Sequence, residues 1–149
     1  MIFTKREVVQ SEGSSLFLKL KDGESATGVF RGEIFEFYSK WVGNRSQVTN
    51  ALDQEGKARF RLNFVMKDGG RFTAKIWEFG VAVYNQLGEI NEEYPLEETK
   101  VKITRRGTST ETTYTILPLL KDKISDAAKK EIELTPLNIL EHKDASMAG

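Results

Sequence analysis

The sequence predicts an all-β domain with one helix, a five-stranded OB-fold barrel followed by a partly helical C-terminal tail. Three observations lead there. Residues 59–77 alternate apolar and polar side chains at the period of a strand, and Lys-Asp-Gly-Gly at 67–70 splits them as a hairpin turn would. The period then lengthens to that of a helix, with Phe79, Val83, Leu87, Ile90 and Tyr94 recurring up to Pro95. Two further strand-like runs, 100–106 and 112–118, flank a short polar loop at 107–111. With the long extended run before them, this gives five strands with the helix between the third and fourth, which is the OB order.

Taken from the N-terminus, residues 1–15 end in Ser-Glu-Gly-Ser-Ser and read as a flexible arm. Residues 16–20 form a short strand, and Lys-Asp-Gly at 21–23 a turn. Residues 25–42 are extended and rich in aromatics. Gly28 and Gly32 interrupt them, where a long strand in a small barrel needs a bulge or bend. Residues 43–56 are a polar loop carrying Arg45. The OB domain spans 16–118. Residues 119–149 form a separate tail, with a helix over 121–132, a stop at Pro136 and loose residues from 144 onward.

A length of 149 residues suits one domain with an appendage, and 39% hydrophobic with 30% charged residues excludes wholesale disorder. There is no cysteine and one histidine, His142, so disulfides, thiolate metal sites and multi-histidine sites are excluded. No apolar stretch approaches a membrane span, and the expected location is cytoplasmic, in the host cytoplasm if phage-encoded. No glycine-rich phosphate loop or nucleophile–base set appears, and the aspartates 22, 53 and 68 sit in turn or loop contexts. The chain is therefore read as a binding protein without catalytic residues or cofactor.

Charge is segregated along the chain. Residues 57–77 carry six Lys or Arg and one acid, residues 100–106 four cations and no acid, and residues 78–99 six glutamates and no cation. The formal net charge is zero, so the distribution rather than the sum points to a phosphate-binding face. In 59–67, Phe60, Leu62, Phe64 and Met66 share one face, while Arg59, Arg61, Asn63 and Lys67 share the other. In 71–77, Phe72, Ala74 and Ile76 oppose Arg71, Thr73, Lys75 and Trp77. Cations beside an indole on an open sheet face meet both needs of a single strand, phosphate neutralisation and base stacking.

The expected backbone contacts are Lys40, Arg45, Arg59, Arg61, Lys75, Lys102, Arg105 and Arg106. Arg105 follows the apolar register of Val101 and Ile103 but sits at the strand end, where its stem can reach out. Bases would stack on Trp77 and on Tyr38 or Trp41, whichever the strand turns outward. The other reading of Trp77, partly buried where strand meets helix, stays open.

The strings FRGE at 30–33, FYSKW at 37–41, KIWEFG at 75–80 and KITRRGT at 102–108 resemble phage-type single-stranded DNA-binding proteins with an OB fold. The resemblance spans residues 16–118. It implies coating of exposed strands in replication, recombination and repair. Some such proteins hold zinc through Cys and His, and without cysteine that site has no counterpart. Many recruit replication or recombination proteins through an acidic C-terminal tail; here the tail has five cations and six acids. Two alternatives are an OB-fold protein-interaction module and an RNA-binding protein.

Overall fold

The computed structural model describes residues 16–42, 45–49 and 56–141, excepting the side chains of 40–42 and 45–49. The arm at 1–15, most of the loop at 43–56, His142 and the expected loose end lie outside the described residues.

The elements are β1 (Ser25–Val42), β2 (Arg45–Thr49), β3 (Lys57–Asp68), β4 (Arg71–Phe79), α1 (Val81–Glu93), β5 (Val101–Arg106), β6 (Thr113–Pro118) and α2 (Asp126–Leu134). One antiparallel sheet runs β4-β3-β1-β5-β6, with β2 paired to the far end of β1. Strand β2 falls inside the stretch expected to be a loop. Residues 16–20 make only a single parallel bridge, Phe17 to Ile76, in place of a strand.

The expected closed barrel is not formed: among the described residues no ladder joins β4 to β6. Other groups fill both edges where closure would occur. On β4, Leu18 N–H donates to the Ile76 carbonyl and Ile76 N–H to the Leu16 carbonyl, each at 2.8 Å. On β6, the Gln86 amide of α1 donates to the Tyr114 carbonyl at 2.9 Å and accepts from Ile116 N–H at 3.4 Å. Edge groups satisfied in this way no longer seek a neighbouring strand. The sheet ends meet through side chains instead, Trp77 and Tyr114 standing edge to face at 5.3 Å.

The bend in β1 falls at Gly32. Arg31 pairs with Asn63 and Phe35 with Arg61, so residues 32–34 face Leu62 alone. Two residues are in excess, an even number, and the alternation of faces survives the bulge. Gly32 adopts φ 85°, the left-handed region that suits glycine. Gly28 has a different task. A Cβ there would lie 2.3 Å from the Val65 carbonyl oxygen, so its absence lets β1 and β3 close together.

The concave face of the sheet holds the main core. Phe30, Phe64, Trp77, Phe79, Val101 and Ile103 are buried there, and Val83 and Leu87 of α1 close it. The convex face is covered as well. Val29, Val65 and Ala74 pack against Ile132 of α2, with Phe72 and Ile124 at the margin. Burying a side chain such as Ile132 contributes about 1.5–3 kcal/mol, enough to hold the helix to the sheet. Ser125 caps α2 by accepting from Ala128 N–H at 3.1 Å, and Arg31 donates to the Ile132 carbonyl at its other end, also at 3.1 Å. Helix α2 starts five residues later than the expected 121–132, because the cap is at Ser125. The described part of the tail is thus docked on the domain.

Candidate nucleic-acid interface

Directly paired residues of antiparallel strands lie on the same face, so register decides which predicted residues meet. Strand β3 pairs Leu62 with Trp77 and Phe64 with Lys75, while Arg61 pairs with Glu78 and Asn63 with Ile76. Trp77 and Lys75 therefore belong to the concave face, and Arg59 and Arg61 to the convex one. The single cationic-aromatic surface expected over 59–77 is divided between opposite sides of the sheet.

Trp77 is 2% exposed and lies 4.9 Å from Phe79 and 6.0 Å from Phe30, ring centre to ring centre. A ring enclosed in this way offers no base a surface, which corrects its expected stacking role. Lys75 is 9% exposed and pairs with Asp68 at 3.3 Å. Its ammonium faces a carboxylate at the rim of the core rather than an open phosphate track.

Arg59 and Arg61 keep the expected face, but that face is occupied. Glu78 receives both guanidinium groups, at 3.5 and 3.2 Å. The Arg61 guanidinium lies 5.1 Å from the Phe17 ring centre and 5.5 Å from that of Phe37, and it donates to the Leu140 carbonyl at 3.3 Å. Its side chain is 13% exposed. The C-terminal segment crosses here, fixed by hydrogen bonds between Asn63 and Asn138. Arg61 is held in a packed cation–aromatic cluster, and Arg59, 36% exposed, is tied to it through Glu78. Charge periodicity did not reveal this cluster. The signal was the register that sets Phe35 and Phe37 opposite Arg61 and Arg59.

Tyr38 pairs with Ala58 on the face opposite this cluster, and its hydroxyl donates to Glu36 at 2.8 Å. That hydrogen bond, with partial desolvation and the carboxylate's charge, raises the phenol above its ordinary value. Lys40, Trp41 and Arg45 hold backbone positions in the β1–β2 ladder, Lys40 opposite Gln47 and Trp41 opposite Ser46; their side chains lie outside the described residues.

Strand β5 separates its own basic residues. Arg105 turns inward and donates to the Leu20 carbonyl at 2.6 Å and to the Thr112 hydroxyl at 3.2 Å, tying the 20–24 turn to the β5–β6 hairpin. The expected phosphate grip by Arg105 is corrected accordingly. Lys102 and Arg106 face outward, are exposed, and make no ion pair among the described residues. Lys102 stands between Thr27 and Leu117, Thr104 between Ser25 and Thr115, and Arg106 beside Thr113. Among the described residues this part of the convex face is two cations, five hydroxyls and one leucine, without a carboxylate.

Of the eleven predicted residues, then, Arg59 and Arg61 come together in one cluster and Lys102 and Arg106 on one open strand face. Among the described residues no group of three or more His, Cys, Asp or Glu is placed to hold a metal ion, and no helix is long and apolar enough to cross a membrane. Comparison with protein-family models, curated protein sequences and solved structures returns no significant match.

Proposed function

We propose that this protein binds single-stranded DNA without sequence preference, as an OB-type domain that coats exposed strands in replication, recombination and repair. The order β4-β3-β1-β5-β6, with α1 between β4 and β5, supports the OB reading, in which three antiparallel strands precede a helix and a hairpin returns beside the first strand. This is an analogy of fold and leaves the ligand to be argued from the surface. The observation that carries the reading is the open outer face of β5, where Lys102 and Arg106 stand among threonines with no ion pair among the described residues. Two residues of like face separated by four positions span about 13 Å of strand. Cations at both ends with hydroxyl donors between them suit a run of phosphates and read no base edges. The proposed role is stoichiometric binding, with no chemical step.

Titration of labelled oligo(dT) at several salt concentrations tests this reading. Affinity should fall with salt, and Lys102→Ala with Arg106→Ala should reduce the log–log slope by about 1.4, at roughly 0.7 for each phosphate no longer neutralised. An unaltered slope in the double variant, or no salt-dependent binding at all, would reject it.

A protein-interaction module is the second reading. Leu134 and Ile139 are 73% and 76% exposed on the docked C-terminal segment, and apolar side chains in such positions suit a protein partner. A stable complex that survives nuclease treatment, formed by a protein that leaves oligo(dT) unshifted, would favour it.

A further inference from the structure

Beneath the N-terminal turn of α2, on the convex face of β1 and β3, lies a recess of about 370 Å³. Its volume falls in the range of small-ligand sites, about 300–1,000 Å³. The floor is apolar, from Phe72 and Ile124 over the buried Val65, and Ala128 of α2 forms part of the roof. Three lysines from three separate segments reach its lining: Lys67, Lys100 and Lys123. Among the described residues no carboxylate lines it. Lys67 holds its ammonium 5.3 Å from the Phe72 ring centre, Lys100 pairs with Asp122 at 3.2 Å, and Lys123 makes no ion pair among the described residues. Thr27 lines the recess and pairs directly with Lys102, so the recess adjoins the cationic outer face of β5.

We infer that this recess is a nucleotide subsite: it takes one base of a bound single strand against Phe72 and Ile124, with the flanking phosphate on the lysines. The inference rests on the proposed single-strand binding and adds a base-binding pocket to it. An apolar floor with a cationic rim is complementary to a nucleobase joined to a phosphodiester. Neither a bare anion nor an uncharged apolar group matches both halves. The subsite supplies what Trp77, enclosed in the core, does not.

The test compares oligo(dT) with an abasic phosphodiester of equal length, in the full-length protein and in Ala128→Leu, which fills the recess with a residue well suited to a helix. Wild type should prefer oligo(dT) by about tenfold, within the range of one base–aromatic stack. In A128L that preference should vanish while the salt slope stays unchanged. Lys123→Ala should keep the preference for bases and lower the slope by about 0.7. A preference that persists in A128L, or its absence from wild type with salt-dependent binding intact, overturns the subsite and leaves single-strand binding standing. Failure of wild type to bind either polymer overturns both. Circular dichroism confirms that each variant is folded before its affinity is read.

Discussion

Asn63 and Asn138 are joined amide to amide: the Asn63 side chain donates to the Asn138 carbonyl at 3.1 Å and accepts from the Asn138 backbone N–H at 2.9 Å. The Asn138 side chain donates to Asn63 Oδ1 at 3.2 Å and to the Ala74 carbonyl at 2.8 Å. Asn63 is 3% exposed, so its amide is removed from water and depends on the tail for partners. An amide buried without partners costs about 1–3 kcal/mol, which explains how a short extended segment stays in place without a strand ladder.

The same pair gives the first prediction. Asn63→Ala and Asn138→Ala should each destabilise the protein by about 1–3 kcal/mol, and the double variant should cost clearly less than their sum. Urea unfolding of the four proteins measures the coupling. Strict additivity would mean that the two amides do not act together.

Trp77 gives the second. Trp77→Ala removes an enclosed ring and should cost about 3–5 kcal/mol. Trp77→Phe keeps most of the volume and should leave oligo(dT) affinity unchanged, because the ring touches Phe30, Phe79 and Tyr114 rather than a ligand. A large drop in affinity in W77F at unaltered stability would show that the indole reaches DNA after all.

Trp77, open to two readings from its sequence and enclosed in the fold, shows what the sequence could and could not say. The long β1, the hairpin at 67–70, α1 and the last two strands were legible, because each carries a clear period or turn signal. The faces of β4 were not. Its convex side is covered by α2 and the tail, so Phe72, Ala74 and Ile76 are apolar on one face while Trp77 and Phe79 are apolar on the other. Alternation then ceases to separate inside from outside, as in any strand buried on both faces. Lys75 misled for the same reason, a cation at the rim of the core held by Asp68. The turn itself contained the answer. Counting outward from a two-residue Gly69-Gly70 loop sets Leu62 opposite Trp77, and Leu62 belongs to the apolar face of β3. The short polar β2 and the tail's docking had no comparable signal, since both depend on partners distant in sequence.

Gly28 carries the third prediction. Its missing side chain lets the Val65 carbonyl and the Phe64 ring approach, the ring atoms lying 2.9 Å from where a Cβ would stand. Gly28→Ala should therefore destabilise by about 1–3 kcal/mol, the usual range for overpacking, even though alanine suits a strand as well as glycine does. Gly23 has nothing within 4 Å of its Cβ position, so any cost there comes from its φ of 86° instead. Thermal unfolding of G28A beside wild type reads the effect, and an unchanged midpoint would mean that β1 and β3 are not so closely apposed.

Tyr38 and Glu36 give the last prediction, one of pH. The phenol donates to Glu36 Oε2 at 2.8 Å, and this bond holds the proton on Tyr38 above the ordinary value of 10.0. Deprotonation would break the hydrogen bond and leave a phenolate against a carboxylate. In the unfolded chain the phenol ionises near 10, so the unfolded state releases its proton first as pH rises. The contribution to stability is then fully present below about pH 10 and is lost as pH climbs through the raised folded-state value. The phenolate absorbance of Tyr38, obtained by subtracting the titration of Tyr38→Phe, should have its midpoint above 10 in the folded protein. Glu36→Ala removes both the acceptor and the negative charge and should bring that midpoint down toward 10. A midpoint that ignores E36A would place the cause elsewhere than in this pair.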